Sequence, residues 1–168
     1  DKYKLVANIP YNITGAILKK FLETDHQPQT MILLVQKEVA ERIVGNRGRQ
    51  ASTKESVLSI SVKAYGVPRY VETVKAGSFA PMPKVDSAIL AIENISKKFF
   101  DGFSEKEFFK IVRAGFKSKR KKLSSNLSTI FDKNRVQNIF HKLKLDENLR
   151  AEDIGTGIWA NLAHLLNS

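Results

Sequence analysis

Asn8-Ile9-Pro10-Tyr11 is the stretch of this chain whose residue types could act together on one small group. An asparagine amide oxygen accepts a hydrogen bond from an exocyclic amine, and a proline-constrained turn aims backbone carbonyls at the same point. Tyrosine adds an aromatic face for stacking, worth about 1–3 kcal/mol per base where such contacts have been removed. Together these groups suit a flat, amino-bearing ring held by its edge and its face. The same four residues also make an ordinary strand-end turn, with Asn and Pro for turn chemistry and Tyr half-buried. Alone, the stretch leaves both readings open.

The elements around it narrow the choice. The apolar run Lys4-Leu5-Val6-Ala7 reads as a short strand, and Thr14-Gly15-Ala16 as a helix start whose stripe is Ile17, Leu18, Phe21 and Leu22. The turn therefore lies at the carboxyl end of a strand, where open α/β sheets place their ligands. Met31–Val35 is a short apolar run suited to a central strand, and Val39, Ile43 and Val44 carry a helix ending at Gly45. Asn46-Arg47-Gly48-Arg49 is a basic loop, either solvated or in contact with RNA. Residues 55–64 fit a helix, although Leu58, Ile60 and Val62 also alternate as in a strand; helix is preferred. Pro68 opens an extended segment to Lys75, and Val85–Glu93 is a further strand. The connection between them, residues 76–84, is stiffened by Pro81 and Pro83. It either presents Phe79 on a rigid loop or buries it as a core anchor.

Strands covered on both faces sit inside a sheet. A first strand so close to Asp1, with nothing before it to pair with, reads as the second half of a larger domain. After Asn94 every stretch reads as helix. The apolar stripes are Phe108, Phe109, Val112 and Phe116; Leu123, Leu127, Ile130 and Phe131; Val136, Ile139, Phe140 and Leu143; and Ile158, Leu162, Leu165 and Leu166, with Thr156 as N-cap. The expected organisation is α/β over 1–96 and a small all-α domain over 97–168.

Lys and Arg total 28 against 17 Asp and Glu, for a formal net charge of +11. That balance favours a polyanion, nucleic acid before membrane. The absence of Cys excludes disulfides, thiolate catalysis and a Cys-based zinc site. Three scattered histidines, His26, His141 and His164, do not make a metal cluster and are read as structural or surface residues. No apolar run reaches the roughly 18 residues of a membrane span, and no signal peptide is evident, so a cytoplasmic protein is expected. Three matches to the glycosylation sequon, at Asn12, Asn94 and Asn126, are attributed to chance. The densest charge is Lys117, Lys119, Arg120, Lys121 and Lys122, with Lys110 and Arg113 just upstream. A run of this kind is either a solvated face or a phosphate-contact patch. Its place between two apolar stripes, without acidic residues to pair locally, favours the patch.

Asn8-Ile9-Pro10-Tyr11-Asn12-Ile13-Thr14, Gln36-Lys37-Glu38-Val39, Phe79 through Ala88, Phe116 through Leu123, and Arg150-Ala151-Glu152-Asp153-Ile154 occur in this order along essentially the whole chain. Together they closely resemble the ribosomal RNA adenine N6,N6-dimethyltransferase family, in the branch that modifies two adjacent adenines near the 3′ end of small-subunit rRNA. The resemblance implies the C-terminal half of a Rossmann-like class I methyltransferase sheet followed by a small helical rRNA-binding domain. It implies S-adenosylmethionine as methyl donor, with Asn8 bordering it. The family's Gly-rich turn and acidic residue for that cofactor are absent from this sequence, so the chain alone is expected to bind it poorly and not to turn over.

The resemblance further implies that a target adenine leaves its stack. The Asn8 side chain and the Pro10 carbonyl would accept from its amine, Tyr11 would stack on one face and Phe79 on the other. The RNA-contacting set it implies is Lys84, Lys110, Arg113, Lys117, Lys119, Arg120, Lys121 and Lys122. The expected partner is small-subunit rRNA in an immature 30S-type subunit, with a role in ribosome biogenesis, no metal and no membrane. The complete protein is expected to be monomeric. Two other readings are carried forward: a large-subunit rRNA methyltransferase conferring antibiotic resistance, and a non-catalytic RNA-binding or ribosome-assembly module.

Overall fold

In the computed structural model, which describes residues 2–45 and 54–167, β1 (Lys4–Asn8), β2 (Thr30–Gln36), β3 (Val67–Val74) and β4 (Ser87–Glu93) form one sheet in the order β1-β2-β4-β3. The basic loop at Asn46–Arg49 lies outside the described residues. β1 and β2 run parallel, with Lys4 opposite Thr30 and Asn8 opposite Leu34. They are joined through α1 (Thr14–Glu23), as a parallel pair requires a crossover. β4 pairs antiparallel with both β2 and β3. α2 (Lys37–Val44) follows β2 without a break and packs against β2, β3 and β4. The core of this unit is made by Met31, Leu33 and Val35 of β2, Ala88, Leu90 and Ile92 of β4, and Ala40 and Ile43 of α2, all fully buried.

β1 exposes one face: Val6 is 71% exposed, and its register partner Ile32 on the same face is 38% exposed. Two sequence expectations are corrected here. β4 begins at Ser87, not Val85, because the Asp86 carbonyl accepts from the Lys37 amide and its carboxylate binds the preceding loop, outside the ladder. The extended segment that Pro68 was expected to open starts at Val67 and includes Pro68. β3 is an edge strand, where a missing N–H is tolerated.

The chain divides into two compact units, Asp1–Ser52 with Val62–Phe99, and Thr53–Ser61 with Phe100–Ser168. One dividing point, between Ser61 and Val62, falls inside α3 (Val57–Tyr65), where the sequence favours helix over strand. The second unit contains α4 (Glu105–Gly115), α5 (Leu123–Leu127), α6 (Lys133–Lys142) and α7 (Thr156–Asn167). α4 starts where the Ser104 hydroxyl accepts from the Glu107 amide, and α6 where the Asp132 carboxylate accepts from the Arg135 amide; each cap satisfies an amide the helix leaves unpaired. Phe108, Phe109 and Val112 are buried, and Phe108 meets Phe100 edge-on at 5.6 Å between ring centroids.

The second stripe is shorter than its apolar spacing suggests. α5 ends at Leu127, and Ile130 is 44% exposed. Ser128 and Thr129 turn their hydroxyls back onto the carbonyls of Ser124 and Asn126, an alternative to continuing the helix. α7 begins at Thr156 itself, with the Gly155 carbonyl accepting from Ile158 and Trp159, so Gly155 occupies the cap position expected for Thr156. Trp159, which no stripe included, is fully buried and stacks on Phe116 at 5.6 Å. Gly115 makes room for it: a Cβ there would lie 2.4 Å from the indole and 2.9 Å from Leu123.

Candidate active site and RNA-contact surface

β1 delivers Asn8 to the sheet's carboxyl end, and the chain turns at once. Ile9 is buried, Asn8 and Pro10 are exposed, and Tyr11–Ile13 form a single 3-10 turn in which the Ile13 amide donates to the Pro10 carbonyl at 3.2 Å. The Pro10 carbonyl is thereby fixed in direction and retains a second lone pair. The buried Thr14 hydroxyl donates to the Tyr11 carbonyl at 3.2 Å, closing the turn into α1. The Asn8 carboxamide has no hydrogen bond to any other described residue, which leaves its donors and acceptor available at the strand end.

Tyr11 is half-buried, and its hydroxyl shares a 2.6 Å hydrogen bond with the Ser87 hydroxyl, 76 residues away. Ser87 is fully buried at the first position of β4, opposite Gln36 of β2 and Val74 of β3. This bond ties the Asn8–Tyr11 turn to the start of β4. The next residue back, Asp86, ties in the Phe79 loop. Its carboxylate accepts from the Ala76 amide at 2.9 Å and from Lys75 Nζ at 3.1 Å. The amide bond, then the Lys75 bond and charge, hold its carboxyl below the ordinary aspartate range, with the Lys37 charge adding to them. Ala76–Ser78 form a 3-10 turn closed by the Phe79 amide on the Ala76 carbonyl, and the Ala80–Pro81 peptide is cis. Phe79 is neither a buried anchor nor fully exposed; it is half-buried. Lys84 is exposed at the far side of this loop.

Sheet register thus brings Asn8, Gln36 and Ser87 to one end of the sheet, and hydrogen bonds attach the Tyr11 turn and the Phe79 loop to Ser87 and Asp86. Sequence reading selected Asn8, Pro10, Tyr11 and Phe79 but missed the two residues that hold them. Their signal was present, since Asp86-Ser87 closes the same stretch that contains Phe79.

In the second unit the cationic residues Lys117, Lys119, Arg120, Lys121 and Lys122 are exposed, as is Arg113, and none lies within 4 Å of a carboxylate among the described residues. Lys110 differs: it pairs with Glu107 at 3.1 Å, one helical turn back, so the expectation of no local acidic partner fails for it. The loop carrying the run is held from below. Asn126, 2% exposed, donates from Nδ2 to the carbonyls of Gly115 at 2.6 Å and Ser118 at 3.0 Å. Sequence reading saw Asn126 only as part of a chance sequon, and its burial agrees that it is no glycan acceptor.

His26, His141 and His164 are all exposed, and no group of three or more His, Cys, Asp or Glu that could hold a metal occurs among the described residues. No helix of the described residues is long and apolar enough to cross a membrane.

Comparison with known proteins adds the context. The family described as Ribosomal RNA adenine dimethylase matches residues 1–168. A protein named Ribosomal RNA small subunit methyltransferase A from Dehalococcoides mccartyi (strain CBDB1) is 40% identical over 162 residues, 95% of this chain and 54% of that protein. One of the same name from Trichormus variabilis is 39% identical, over 97% of this chain and 60% of its own length. The chain therefore spans a little over half the length of these relatives. Among solved structures, the 23S rRNA methyltransferase ErmE superposes on all of this chain and 66% of its own with a TM-score of 0.74 at 22% identity. A dimethyladenosine transferase from Plasmodium falciparum covers 95% of this chain and 66% of its own with a TM-score of 0.76 at 24% identity. At such identities these two structures speak for a shared fold, that of Rossmann-like methyltransferases.

Proposed function

The chain belongs to the ribosomal RNA adenine dimethylase family, and from that premise we propose that it forms the base-holding end and the RNA-binding helices of an enzyme that dimethylates N6 of two adjacent adenines near the 3′ end of small-subunit rRNA. The observation that supports this best is the Tyr11–Ser87 hydrogen bond of 2.6 Å, which anchors an aromatic side chain three residues after the exposed Asn8 at the end of β1.

In this reading a flipped adenine presents its amino group to two acceptors, the Asn8 amide oxygen and the free lone pair of the Pro10 carbonyl. Both orient the nitrogen lone pair and stabilise the positive charge that grows on it. Tyr11 and Phe79 stack on opposite faces of the base, the first held by its bond to Ser87 and the loop of the second by Asp86. The amine needs no dedicated base, because the methylated nitrogen sheds its proton readily once it carries charge. S-adenosylmethionine, when bound, supplies the methyl group. This chain's residues fit one edge of it through Asn8, and the 168 residues contain no Gly-rich cofactor turn. Little binding of that cofactor by these residues alone is therefore expected. Lys84, Arg113 and the cations from Lys117 to Lys122 meet the RNA backbone, by shape more than by sequence; Lys110 does so only by leaving Glu107.

Small-subunit rRNA is preferred to large-subunit rRNA as substrate because the relatives at about 40% identity carry the small-subunit name. A cytoplasmic monomer acting during ribosome biogenesis accords with this reading. The test is transfer of labelled methyl groups by the full-length protein to immature small subunits and, in parallel, to naked large-subunit rRNA. Incorporation into the small subunit alone is expected; incorporation only into large-subunit rRNA would replace this reading with the other.

A further inference from the structure

We propose a second RNA-backbone site in the helical unit, a groove of about 1030 Å³ between the start of α5, the exposed side of α6 and the loop at residues 144–147. The inference rests on the RNA-binding reading above and assigns to it a surface that shares only Lys122 with the run at 117–122.

The groove has cations at both ends of one helix. Lys133 opens α6, and Lys144 lies just past its end. Lys144 lies eleven residues after Lys133, so at 1.5 Å per residue these positions are about 16 Å apart. That span takes in more than one phosphate along a strand, more than a mononucleotide offers. Lys122 adds a third cation from the α5 side. None of the three has a carboxylate within 4 Å among the described residues. Between the ends, Gln137 and Asn138 are exposed amides with no hydrogen bond to a described residue. Amides both donate and accept, as a ribose 2′-hydroxyl does. Two acids also line the groove: Asp146, which accepts from the Asn148 amide at 2.7 Å, and the exposed Glu147; the three lysines leave it net positive.

The wall is also rigid. The Leu123 amide donates to the Leu149 carbonyl at 2.7 Å, and the Leu145 amide to the Phe140 carbonyl at 2.9 Å. That second bond is the 6→1 closure of a helix end whose preceding residue takes the left-handed conformation, a place where glycine is the usual occupant. Here the residue is Lys144, at φ 53°. A long, charged side chain thus stands where a side chain carries strain, and strain of this kind concentrates at binding positions. The fold holds this ammonium group at the mouth of the groove even though glycine would close the helix more easily. The ligand is the sugar–phosphate backbone of a folded RNA.

The test uses the full-length protein and a 3′ fragment of small-subunit rRNA, with affinity measured by fluorescence anisotropy from low to high salt. The Lys133→Gln/Lys144→Gly variant should lose about tenfold in affinity, flatten the log–log salt slope by about 1.4 for two lost phosphate contacts, and melt no lower than wild type. A Lys119→Gln/Arg120→Gln/Lys121→Gln variant is measured alongside. Weakening of the second variant with no change in the first would overturn the groove while leaving the RNA-binding reading standing. No change in either variant would remove both. A loss of affinity with an unaltered salt slope would also reject the groove as a phosphate site.

Discussion

Single residues carry the tightest commitments. Ser87 has no exposed surface, and its hydroxyl is the partner of the Tyr11 hydroxyl. Ser87→Ala in the full-length protein should lower kcat with KM for RNA nearly unchanged, and Ser87→Thr should restore part of it. Equal kcat for the Ala variant and wild type would show that the ring needs no such anchor. Asp86 offers a pH test. Its carboxyl titrates below the ordinary value because Ala76 and Lys75 bind the ionised form. The clamp is therefore fully present above about pH 3.9, the unperturbed aspartate value, and is lost only as pH falls through its lowered native value. Asp86→Asn should mimic the acid state at neutral pH, with faster hydrogen exchange at the Ala76 amide and unchanged exchange in β2. Asn126 shows where sequence falls short. Nothing in Asn126-Leu127-Ser128 distinguishes a surface asparagine from one that is 2% exposed and bonded to the carbonyls of two other residues. Replacing it with Ala strands the Gly115 and Ser118 carbonyls and should cost about 1–3 kcal/mol in denaturant unfolding.

At the scale of elements, the strands and most helices were legible because their hydrophobic period and their breakers agree. Met31–Val35 with Pro28 before it, and Val39 to Val44 closed by Gly45, leave few alternatives. The misses have local causes. The stripe through Ile130 and Phe131 has good spacing, but after Leu127 the backbone tightens to three-residue turns, the Thr129 amide on Asn126 and the Ile130 amide on Leu127, with the Ser128 and Thr129 hydroxyls folded back on carbonyls. The packing of α4 on α7 depends on a position that sequence marks only as a glycine in a helix. Gly115→Ala would press a methyl group into Trp159 and Leu123. It should destabilise the helical unit by about 1–3 kcal/mol, read as a lower urea midpoint with near-ultraviolet signal from the tryptophan altered. An unchanged midpoint would mean that the indole shifts freely and that the close fit is not a constraint.

For the whole molecule, charge and site make separate contributions that should come apart experimentally. On the proposed reading, the net charge of +11 and the exposed run at 117–122 serve RNA affinity, while the turn at Asn8 serves the reacting nitrogen. Both proposals start from features visible in the sequence, one from clustering of lysines and arginines and the other from a short motif at a strand end. The supports beneath them, Ser87, Asp86 and Asn126, became visible only through long-range hydrogen bonds. The central claim is that the Asn8–Tyr11 turn holds the target amine. Its most direct test is dimethyladenine formation on immature small subunits by the full-length protein, wild type against Asn8→Ala, with RNA affinity measured in the same preparations. The account predicts loss of product by at least a hundredfold, about 2.7 kcal/mol of transition-state stabilisation, with RNA affinity within twofold of wild type. Wild-type product yield from the Asn8→Ala protein would contradict it.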